Sequence, residues 1–466
     1  MRLPVLWIIA SALLGLALMV ALGTALLRPD LPLIVAAGFA AERITPNADG
    51  LDDVTIFRYE LARNAQVSLS LLSADGREYR FRDSQPRVAG EYNVLFSGVV
   101  DGYLLPGENL LGTVERRLLP DGEYTWRLLA QEATGESQVV EGRLTIAESG
   151  TPLPSISAFS VAPQVFTPNQ DGIADRVQIN VYLEQPADLR VFLLTEDGVE
   201  IPISARKEDR LPGEAGRHIF DYEGGIDLGA DPPPDGEYTV VALAQDAEGQ
   251  RVRVESRLTI RDGGKPRAEI VPQAVGVDVV FATMPYDERY ASNFDVLGEL
   301  IPMPTDPASL SRDTITLRAG DMLVFKLTVE NYNDVPIRTS FPPPGTVYQQ
   351  DQLAASLGAF EESGAWRVGL QCETSKTSFP YRWALGSRET LLAVESDDGN
   401  TYYYLPPRSR AVVWGAVRMN QVERRQNPQT CWAGLIHEDV EVSLRNSYVG
   451  PRQVEIVDPA LPFGGN

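Results

Sequence analysis

Two short acidic segments of this chain carry side chains that could bind a cation. Each reads Asn-x-Asp-Gly-x-x-Asp, and the oxygen-bearing side chains are those of Asn47, Asp49, Asp53, Asn169, Asp171 and Asp175. Calcium binds about six to eight hard oxygens, and an EF-hand loop has glycine at its sixth position and glutamate at its twelfth. Counted from the first Asn, both segments lack these residues, so they are not EF-hands. Two interpretations stay open: another kind of calcium site, or an Asx-type turn in which Asn and Asp bond the local backbone, which we favour.

Aromatic side chains in the last 200 or so residues are the second set of candidate binding groups. They are Trp366, Trp383, Tyr402, Tyr404 and Trp414. On a strand, Tyr402 and Tyr404 lie on the same face because side chains alternate between faces. Flat rings on a solvent-facing surface could stack on sugar rings. The alternative, which we favour, is that these rings fill the core of a β-sandwich.

Catalytic chemistry has little support in the sequence. His218 and His437 are the only histidines, and the chain has neither a zinc-binding His-Glu-x-x-His helix nor a Gly-x-Ser-x-Gly elbow. The segment 437–439 reads His-Glu-Asp and could hold a metal or act as a base, but a hydrated turn is the favoured interpretation. We therefore expect that the protein is not an enzyme.

The two cysteines, Cys372 and Cys431, both lie near the carboxy-terminal end of the chain. Two thiols in one domain of an exported protein are expected to form a disulfide. A metal site would need further ligands nearby, and His437 is the only obvious neighbour. The sequence therefore predicts a bond between Cys372 and Cys431.

The residues around the acidic segments belong to a repeat. Similar opening phrases occupy 44–53 and 166–175, and an Asp-Gly-Glu-Tyr-Thr phrase at 121–125 returns at 235–239. Openings and closings kept in the same order indicate one module of roughly a hundred residues, used twice. Alternating apolar and polar residues, as in 67–71, predict short antiparallel strands, so the fold class is all-β. The Tyr of the closing phrase can fold back to bond the corner backbone, as tyrosine corners do.

These phrases also resemble known families. Residues 235–249 resemble the final strands of the Ig-like domain of flagellar hook-capping proteins. The Thr-Pro-Asn-x-Asp-Gly opening is similar to Ig-like modules of bacterial surface proteins, including carboxy-terminal modules of gliding and secretion substrates. The resemblance covers residues 32–262 and implies a scaffold that hosts many unrelated functions. Residues 315–331 and 341–346 resemble repeat modules of bacterial surface proteins, which implies a third β-sandwich.

The amino-terminal segment determines the expected location. From Leu3 to Leu27 the sequence has no charged residue, and Arg2 and Arg28 flank it. A signal peptide has an apolar core of about 7–15 residues, whereas a membrane-spanning helix needs about 20. We therefore expect an uncleaved single-pass anchor with the bulk of the chain outside the cytoplasm, although cleavage stays an alternative. The charge asymmetry across the segment is consistent with this orientation.

The predicted organisation is an anchor at 1–31, Ig-like modules at 32–150 and 151–265, and a C-terminal β-sandwich domain at 266–466. A net charge of −23 makes nucleic-acid binding an unfavourable interaction. We expect a membrane-anchored protein with a structural, adhesive or partner-binding role, with a cell-envelope protein or glycan as partner and no cofactor except a possible calcium ion. The first alternative is a carbohydrate-binding surface protein, and the second is an envelope hydrolase.

Overall fold

The structure is a computed structural model, and it describes residues 12–20, 31–205, 211, 213–306, 314–396, 399–442 and 445–457. Strands account for nearly all of its regular secondary structure. The helical parts of the described chain are residues 12–20 and four short 3-10 turns, Ile226–Leu228, Glu288–Tyr290, Ala354–Leu357 and Arg424–Gln426. The predicted all-β fold class is confirmed.

The predicted membrane segment, Leu3 to Leu27, falls mostly outside the described residues. Its described part, residues 12–20, is helical and exposed. Across the ranges that the structure covers, no helix is both long and apolar enough to cross a membrane. Anchoring by this segment stays a prediction.

The chain divides into two compact units. Unit 1 consists of Met1–Ser160, Asn180–Phe220 and Thr239–Ser256. Unit 2 consists of Val161–Ile179, Asp221–Tyr238 and Arg257–Asn466. The division passes through the second repeat, so the repeat supplies residues to both units. The module boundaries given above stay predictions.

The first repeat, in unit 1, contains two sheets around an aromatic core. Its strands are β1 (Ile34–Phe39), β2 (Arg43–Ile44), β3 (Thr55–Leu61), β4 (Ala65–Ser73), β5 (Glu78–Arg87), β6 (Gly90–Phe96), β7 (Val99–Asp101), β8 (Thr113–Leu118), β9 (Gly122–Gln131) and β10 (Ser137–Ile146). One sheet has the order β1-β3-β6 and the other β2-β10-β9-β4-β5. Phe57, Phe96 and Trp126 lie buried among the core residues, as the period-two pattern requires.

The second repeat has the strands β11 (Ile156–Ala162), β12 (Val165–Phe166), β13 (Val177–Leu183), β14 (Asp188–Leu194), β15 (Glu200–Ile203), β16 (Gly216–Tyr222), β17 (Gly236–Gln245) and β18 (Arg251–Ile260). In unit 1, β14 pairs with β15 and β17, and the start of β18 pairs with β8 of the first repeat. In unit 2, β12 pairs with the end of β18. The two repeats therefore share a hydrogen-bonded sheet in addition to their covalent link.

The tyrosine corners are present in both repeats. The Tyr124 hydroxyl donates to the carbonyl of Pro120, and the Tyr238 hydroxyl donates to the carbonyl of Pro234, each over 2.7 Å. The preceding carboxylate, Asp235 in the second repeat, accepts hydrogen bonds from the backbone N–H groups of residues 262 and 263. The repeated phrase thus closes each module in the same way, and the predicted role of its tyrosine is confirmed.

The C-terminal domain, in unit 2, is a sandwich of two sheets. Its strands are β19 (Ala268–Val271), β20 (Val279–Met284), β21 (Ile315–Arg318), β22 (Met322–Asn331), β23 (Ile337–Thr339), β24 (Val347–Gln349), β25 (Trp366–Cys372), β26 (Tyr381–Ala384), β27 (Leu392–Glu395), β28 (Thr401–Leu405), β29 (Arg410–Arg418), β30 (Gln429–His437), β31 (Glu441–Val442) and β32 (Val449–Val457). One sheet contains β19-β22-β29-β24, and the other contains β21-β32-β30-β25-β23-β28-β27. Their inner faces share one core, to which Phe325 and Val368 belong.

The predicted disulfide is confirmed. Cys372 on β25 lies directly opposite Cys431 on β30, and their sulfurs are 2.00 Å apart. Both side chains are buried. The bond joins two neighbouring strands in the middle of the sandwich, 59 positions apart in the sequence.

Candidate functional site

The two Asn-x-Asp-Gly segments, loop 1 (residues 46–53) and loop 2 (residues 168–175), fold in the same way. In each loop the carboxylate of the last Asp accepts hydrogen bonds from three backbone N–H groups of the same loop. In loop 1, Asp53 accepts hydrogen bonds from the N–H groups of Asn47 (3.1 Å), Ala48 (2.8 Å) and Gly50 (2.7 Å). In loop 2, Asp175 accepts from the N–H groups of residues 169, 171 and 172, the last at 2.5 Å.

The other two side chains of each loop also bond the local backbone. Asn169 accepts from the N–H of Asp171, and Asp171 Oδ1 accepts from the N–H of Ile173 over 2.8 Å. Asn47 and Asp49 make the equivalent bonds in loop 1. This geometry is that of the Asx-type turn. Within the described ranges, no group of three or more His, Cys, Asp or Glu side chains is placed to hold a metal ion. Calcium binding stays a prediction.

Loop 2 docks against the C-terminal sandwich within unit 2. The Tyr404 hydroxyl donates a 2.8 Å hydrogen bond to Asp171 Oδ2. His437 Nε2 lies 2.7 Å from the carbonyl oxygen of Gln170. A carbonyl only accepts, so Nε2 carries the proton. Asn169 and Asp171 are only 5 and 6% exposed. The loop therefore contributes its carboxylate and its backbone to an internal interface.

Two glycines let the backbones of loop 2 and the sandwich approach closely. A Cβ added at Gly172 would lie 2.0 Å from the carbonyl oxygen of Ser363, and one added at Gly364 would lie 2.1 Å from the carbonyl carbon of Asp171. Both glycines also have positive φ angles, 81° and 80°, which a side chain disfavours. Any larger residue at either position would push the two surfaces apart.

The residues that receive loop 2 are held by their neighbours. We call Ser363, Gly364, Tyr404 and His437 the receptor surface. Arg338 donates to the carbonyl of Ser363 over 2.5 Å, and the Trp366 ring stacks on the His437 ring with centroids 4.3 Å apart. The stacked Trp366 ring thus orients the His437 imidazole, and Arg338 positions the Ser363 carbonyl.

Behind the receptor surface lies a buried ionic cluster. Arg367 is fully buried and lies 3.3 Å from Glu438, whose other oxygen lies 2.6 Å from Arg382. The expected hydrated turn at 437–439 is wrong for its first two residues. His437 and Glu438 are each 3% exposed because one is held under loop 2 and the other between two arginines. Asp439 alone is exposed.

A polar cleft of about 620 Å³ adjoins loop 2. Arg176 lies in it and forms ion pairs with Asp221 at 2.9 Å and Asp227 at 2.6 Å. Its other charged lining residues are Asp175, Glu223, Lys265, Asp439 and Glu441. Leu228, at its rim, is 92% exposed. The lining therefore carries both charges, with Leu228 and Val440 as exposed apolar side chains.

Burial shifts the pKa of Asp175 in loop 2 and of the two side chains that contact the loop. Burial and the negative charge of Asp171 raise the pKa of Asp175 to about 6, although three backbone N–H donors favour its ionised form. Burial lowers the pKa of His437 to about 4. The pKa of Tyr404 is raised by burial and by Asp171. At neutral pH the imidazole and the phenol are therefore neutral donors to the loop.

The five aromatic residues that were candidates for stacking on sugars lie mostly in the core, in keeping with the favoured interpretation. Trp366, Trp383 and Tyr404 are 4, 0 and 7% exposed, so a stacking role is wrong for these three. Trp383 donates from its ring nitrogen to a buried backbone carbonyl, and Tyr404 donates to Asp171. Tyr402 and Trp414 are half-buried, and Trp414 donates to the carbonyl of Ile301 over 2.9 Å. These rings do not form an exposed platform.

The pairing of loop 2 with the receptor surface was not expected from the sequence. The sequence indicates Asp171 as a possible calcium ligand and Tyr404 as a possible stacking ring, and it predicts no role for Gly364. Glycines flanked by polar residues could have indicated a close backbone approach, but they did not show what approaches. Both imidazoles of the chain are bonded to carbonyls, since His218 Nε2 lies 2.7 Å from that of Glu214. The arrangement is suited to holding surfaces together.

The sequence matches no protein-family model and no curated protein. Among solved structures, a two-domain fibronectin type III segment of chicken tenascin is 13% identical, covering 48% of this chain and 97% of its own, with a TM-score of 0.15. A tetra-tandem repeat from the extending region of a large adhesion protein is 11% identical, with coverages of 86% and 81% and a TM-score of 0.16. A Ca²⁺-stabilised adhesin that helps an Antarctic bacterium bind ice is 11% identical, with coverages of 82% and 73% and a TM-score of 0.17. Scores this low carry no argument about function.

Proposed function

We propose that this chain is a membrane-anchored, extracytoplasmic protein of tandem Ig-like modules with a structural, adhesive role, and that it binds a cell-envelope protein. The docked loop 2 is the observation that carries this proposal. Its contacts are short, the bond between Tyr404 and Asp171 is buried, and Gly172 and Gly364 leave no room for a larger side chain. Joints of this kind suit a protein that must hold a fixed form outside the cell, where a freely jointed string of domains would not transmit position or force.

The remaining parts of the proposal come from the sequence. The uncharged segment from Leu3 to Leu27 supports an anchor. The disulfide between Cys372 and Cys431 is consistent with an oxidising compartment. The resemblance to hook-capping Ig-like domains and to Thr-Pro-Asn-x-Asp-Gly surface modules supports a scaffold rather than an enzyme. The proposed partner is a protein because the cleft beside loop 2 is polar and of mixed charge.

Site-specific photo-crosslinking in intact cells tests this function. A photoreactive amino acid at Leu228, at the rim of the cleft, should form one discrete adduct with an envelope protein. The same amino acid at Leu95, which is 63% exposed on β6 in unit 1, is the matched control and should form none. Protease added to spheroplasts should degrade the chain beyond the anchor. Full protection from protease, or equal adducts at both positions, would contradict the proposal.

A further inference from the structure

Loop 1 has the same docking groups as loop 2, but it is exposed. The Ala48 carbonyl corresponds to that of Gln170, Asp49 to Asp171 and Gly50 to Gly172, at the constant offset of the repeat. In both loops Oδ1 of the central Asp accepts from the backbone two residues on, at 2.8 Å. In loop 2 the other oxygen of that carboxylate, Oδ2, accepts from Tyr404. Over the described residues, no hydrogen bond reaches Oδ2 of Asp49, and Ala48, Asp49 and Gly50 are all exposed.

We propose that loop 1 is a second docking element, which binds a β-sandwich module of a partner protein. That module would present what the receptor surface presents to loop 2: a hydroxyl donor for Asp49, an N–H donor for the Ala48 carbonyl and a glycine turn that admits the backbone of Gly50. The inference goes beyond the proposed function, because it concerns a surface in unit 1 that is separate from the cleft. The observation that supports the inference is loop 2, the second copy of the same loop, which is docked on the receptor surface.

The chemistry of loop 1 also indicates what its partner is not. Asp49 and Asp52 are exposed carboxylates, so basic groups on the partner surface would strengthen docking. Leu51, at the edge of the loop, is 72% exposed and would be covered by a docked module. A second wild-type copy of this chain is a poor occupant, because its receptor surface is already filled by its own loop 2. Because loop 2 is covalently tethered beside the receptor surface, it competes with loop 1 of another copy at an effective concentration on the order of millimolar.

The chain itself supplies a probe with a vacant receptor surface. In Gly172→Val, the added side chain meets the Ser363 carbonyl and loop 2 cannot dock, while Tyr404 and His437 are unchanged. In Gly364→Val, the same interface is broken from the receptor side, because the new side chain meets Asp171. Adding Gly50→Val to each variant blocks its own loop 1. The first double variant is an open probe, and the second is its matched blocked control.

The experiment measures binding of each full-length double variant to full-length wild-type chain by sedimentation velocity. We expect a one-to-one complex with the open probe, at least tenfold weaker binding of the blocked control, and loss of the complex when the wild-type chain carries Asp49→Ala. Melting curves verify that all variants remain folded. If a folded open probe does not bind, or if both probes bind equally, the inference is wrong. Self-association of the wild-type chain that Gly50→Val abolishes would overturn it in favour of a second copy as occupant.

Discussion

The Tyr404 hydroxyl and the Asp171 carboxylate are joined by a 2.8 Å hydrogen bond across 233 positions of sequence. Both groups are buried, at 7 and 6% exposure. A buried carboxylate that loses its donor keeps the full cost of its lost hydration, so this one bond makes the docked position of loop 2 specific. Loop 2 of the second repeat is thus joined to the C-terminal sandwich by a buried side-chain hydrogen bond as well as by the covalent chain.

Tyr404→Phe should destabilise unit 2 by roughly 1–3 kcal/mol, because the ring is kept while Asp171 loses its donor. Tyr403→Phe is the matched control, since that tyrosine is half-buried on the opposite face of β28. Its loss of a hydroxyl should change the free energy of unfolding by less than about 0.5 kcal/mol. Urea denaturation of both variants measures the difference. Equal effects at the two positions would show that the bond to Asp171 does not stabilise the interface.

The dependence of stability on pH should separate Asp175 from His437. The pKa of Asp175 is about 6 in the folded chain against 3.8 ordinarily, so between these values the folded state binds more protons and acidification stabilises it. The pKa of His437 is about 4 in the folded chain against 6.5, so between these values the unfolded state binds more protons and acidification destabilises the fold. In the wild-type chain the two effects oppose each other.

Each variant should therefore reveal the effect of the other residue. Asp175→Asn should make the melting temperature fall more steeply as the pH drops from 6.5 to 4, and His437→Gln should make it fall less or rise. The measurement is the slope of melting temperature against pH for the wild type and both variants. Parallel slopes for all three proteins would show that neither group changes protonation on folding in this range.

The loops should fold without calcium, because their carboxylates accept hydrogen bonds from their own backbone N–H groups. A ligand present at a hundred times its dissociation constant would add about 2.7 kcal/mol to the free energy of unfolding. We therefore expect the same melting curve in millimolar calcium and in chelator. A rise of several degrees with calcium, lost in Asp49→Ala or Asp171→Ala, would instead establish a site.

Much of the fold could be predicted from local sequence. Alternation such as that of 67–71 predicts strands because a sandwich buries one face of each. Asp-Gly-Glu-Tyr predicts the corner because the bond of its tyrosine is local: the Tyr238 hydroxyl donates to the carbonyl of Pro234, four residues away. The disulfide followed from there being only two cysteines. Each of these features depends on near neighbours or on a very small number of possible pairs.

The docking of loop 2 could not be predicted in this way. Loops 1 and 2 have the same sequence pattern and largely the same internal hydrogen bonds, yet Asp49 is exposed and Asp171 is buried. The difference comes from Tyr404 and Gly364, which contact loop 2 and are distant from it in sequence; over the described residues, no hydrogen bond reaches Oδ2 of Asp49. For the aromatic residues the sequence leaves two interpretations open, because the spacing of Trp366 and Trp383 does not tell an inner strand face from an outer one; the structure shows both rings buried.

Loss of the disulfide should destabilise the C-terminal sandwich. The bond closes a loop with a sequence separation of 59, which the chain-entropy treatment values at roughly 4 kcal/mol. A reductant should lower the urea midpoint of unit 2 in the wild type and leave that of a Cys372→Ala, Cys431→Ala double variant unchanged. Cys372 and Cys431 should also be recovered as one linked peptide pair in a non-reduced digest. Free alkylation of both thiols in the unreduced chain would contradict this.

Glu438→Gln should be the most destabilising conservative change in the C-terminal sandwich. It leaves Arg367, which is fully buried, and the nearby Arg382 without their shared carboxylate. Removing one partner of a buried ion pair costs about 3–5 kcal/mol, because the remaining charge stays desolvated. Glu361→Gln is the matched control: its carboxylate also lies 3.5 Å from Arg382, but its side chain is 66% exposed. Such a surface pair contributes about 0–1 kcal/mol.

Since Glu438 follows His437, the Glu438→Gln variant should also weaken the docking of loop 2, seen as faster hydrogen exchange at the Gly172 amide. If the two variants unfold at the same urea concentration, the cluster does not support the receptor surface.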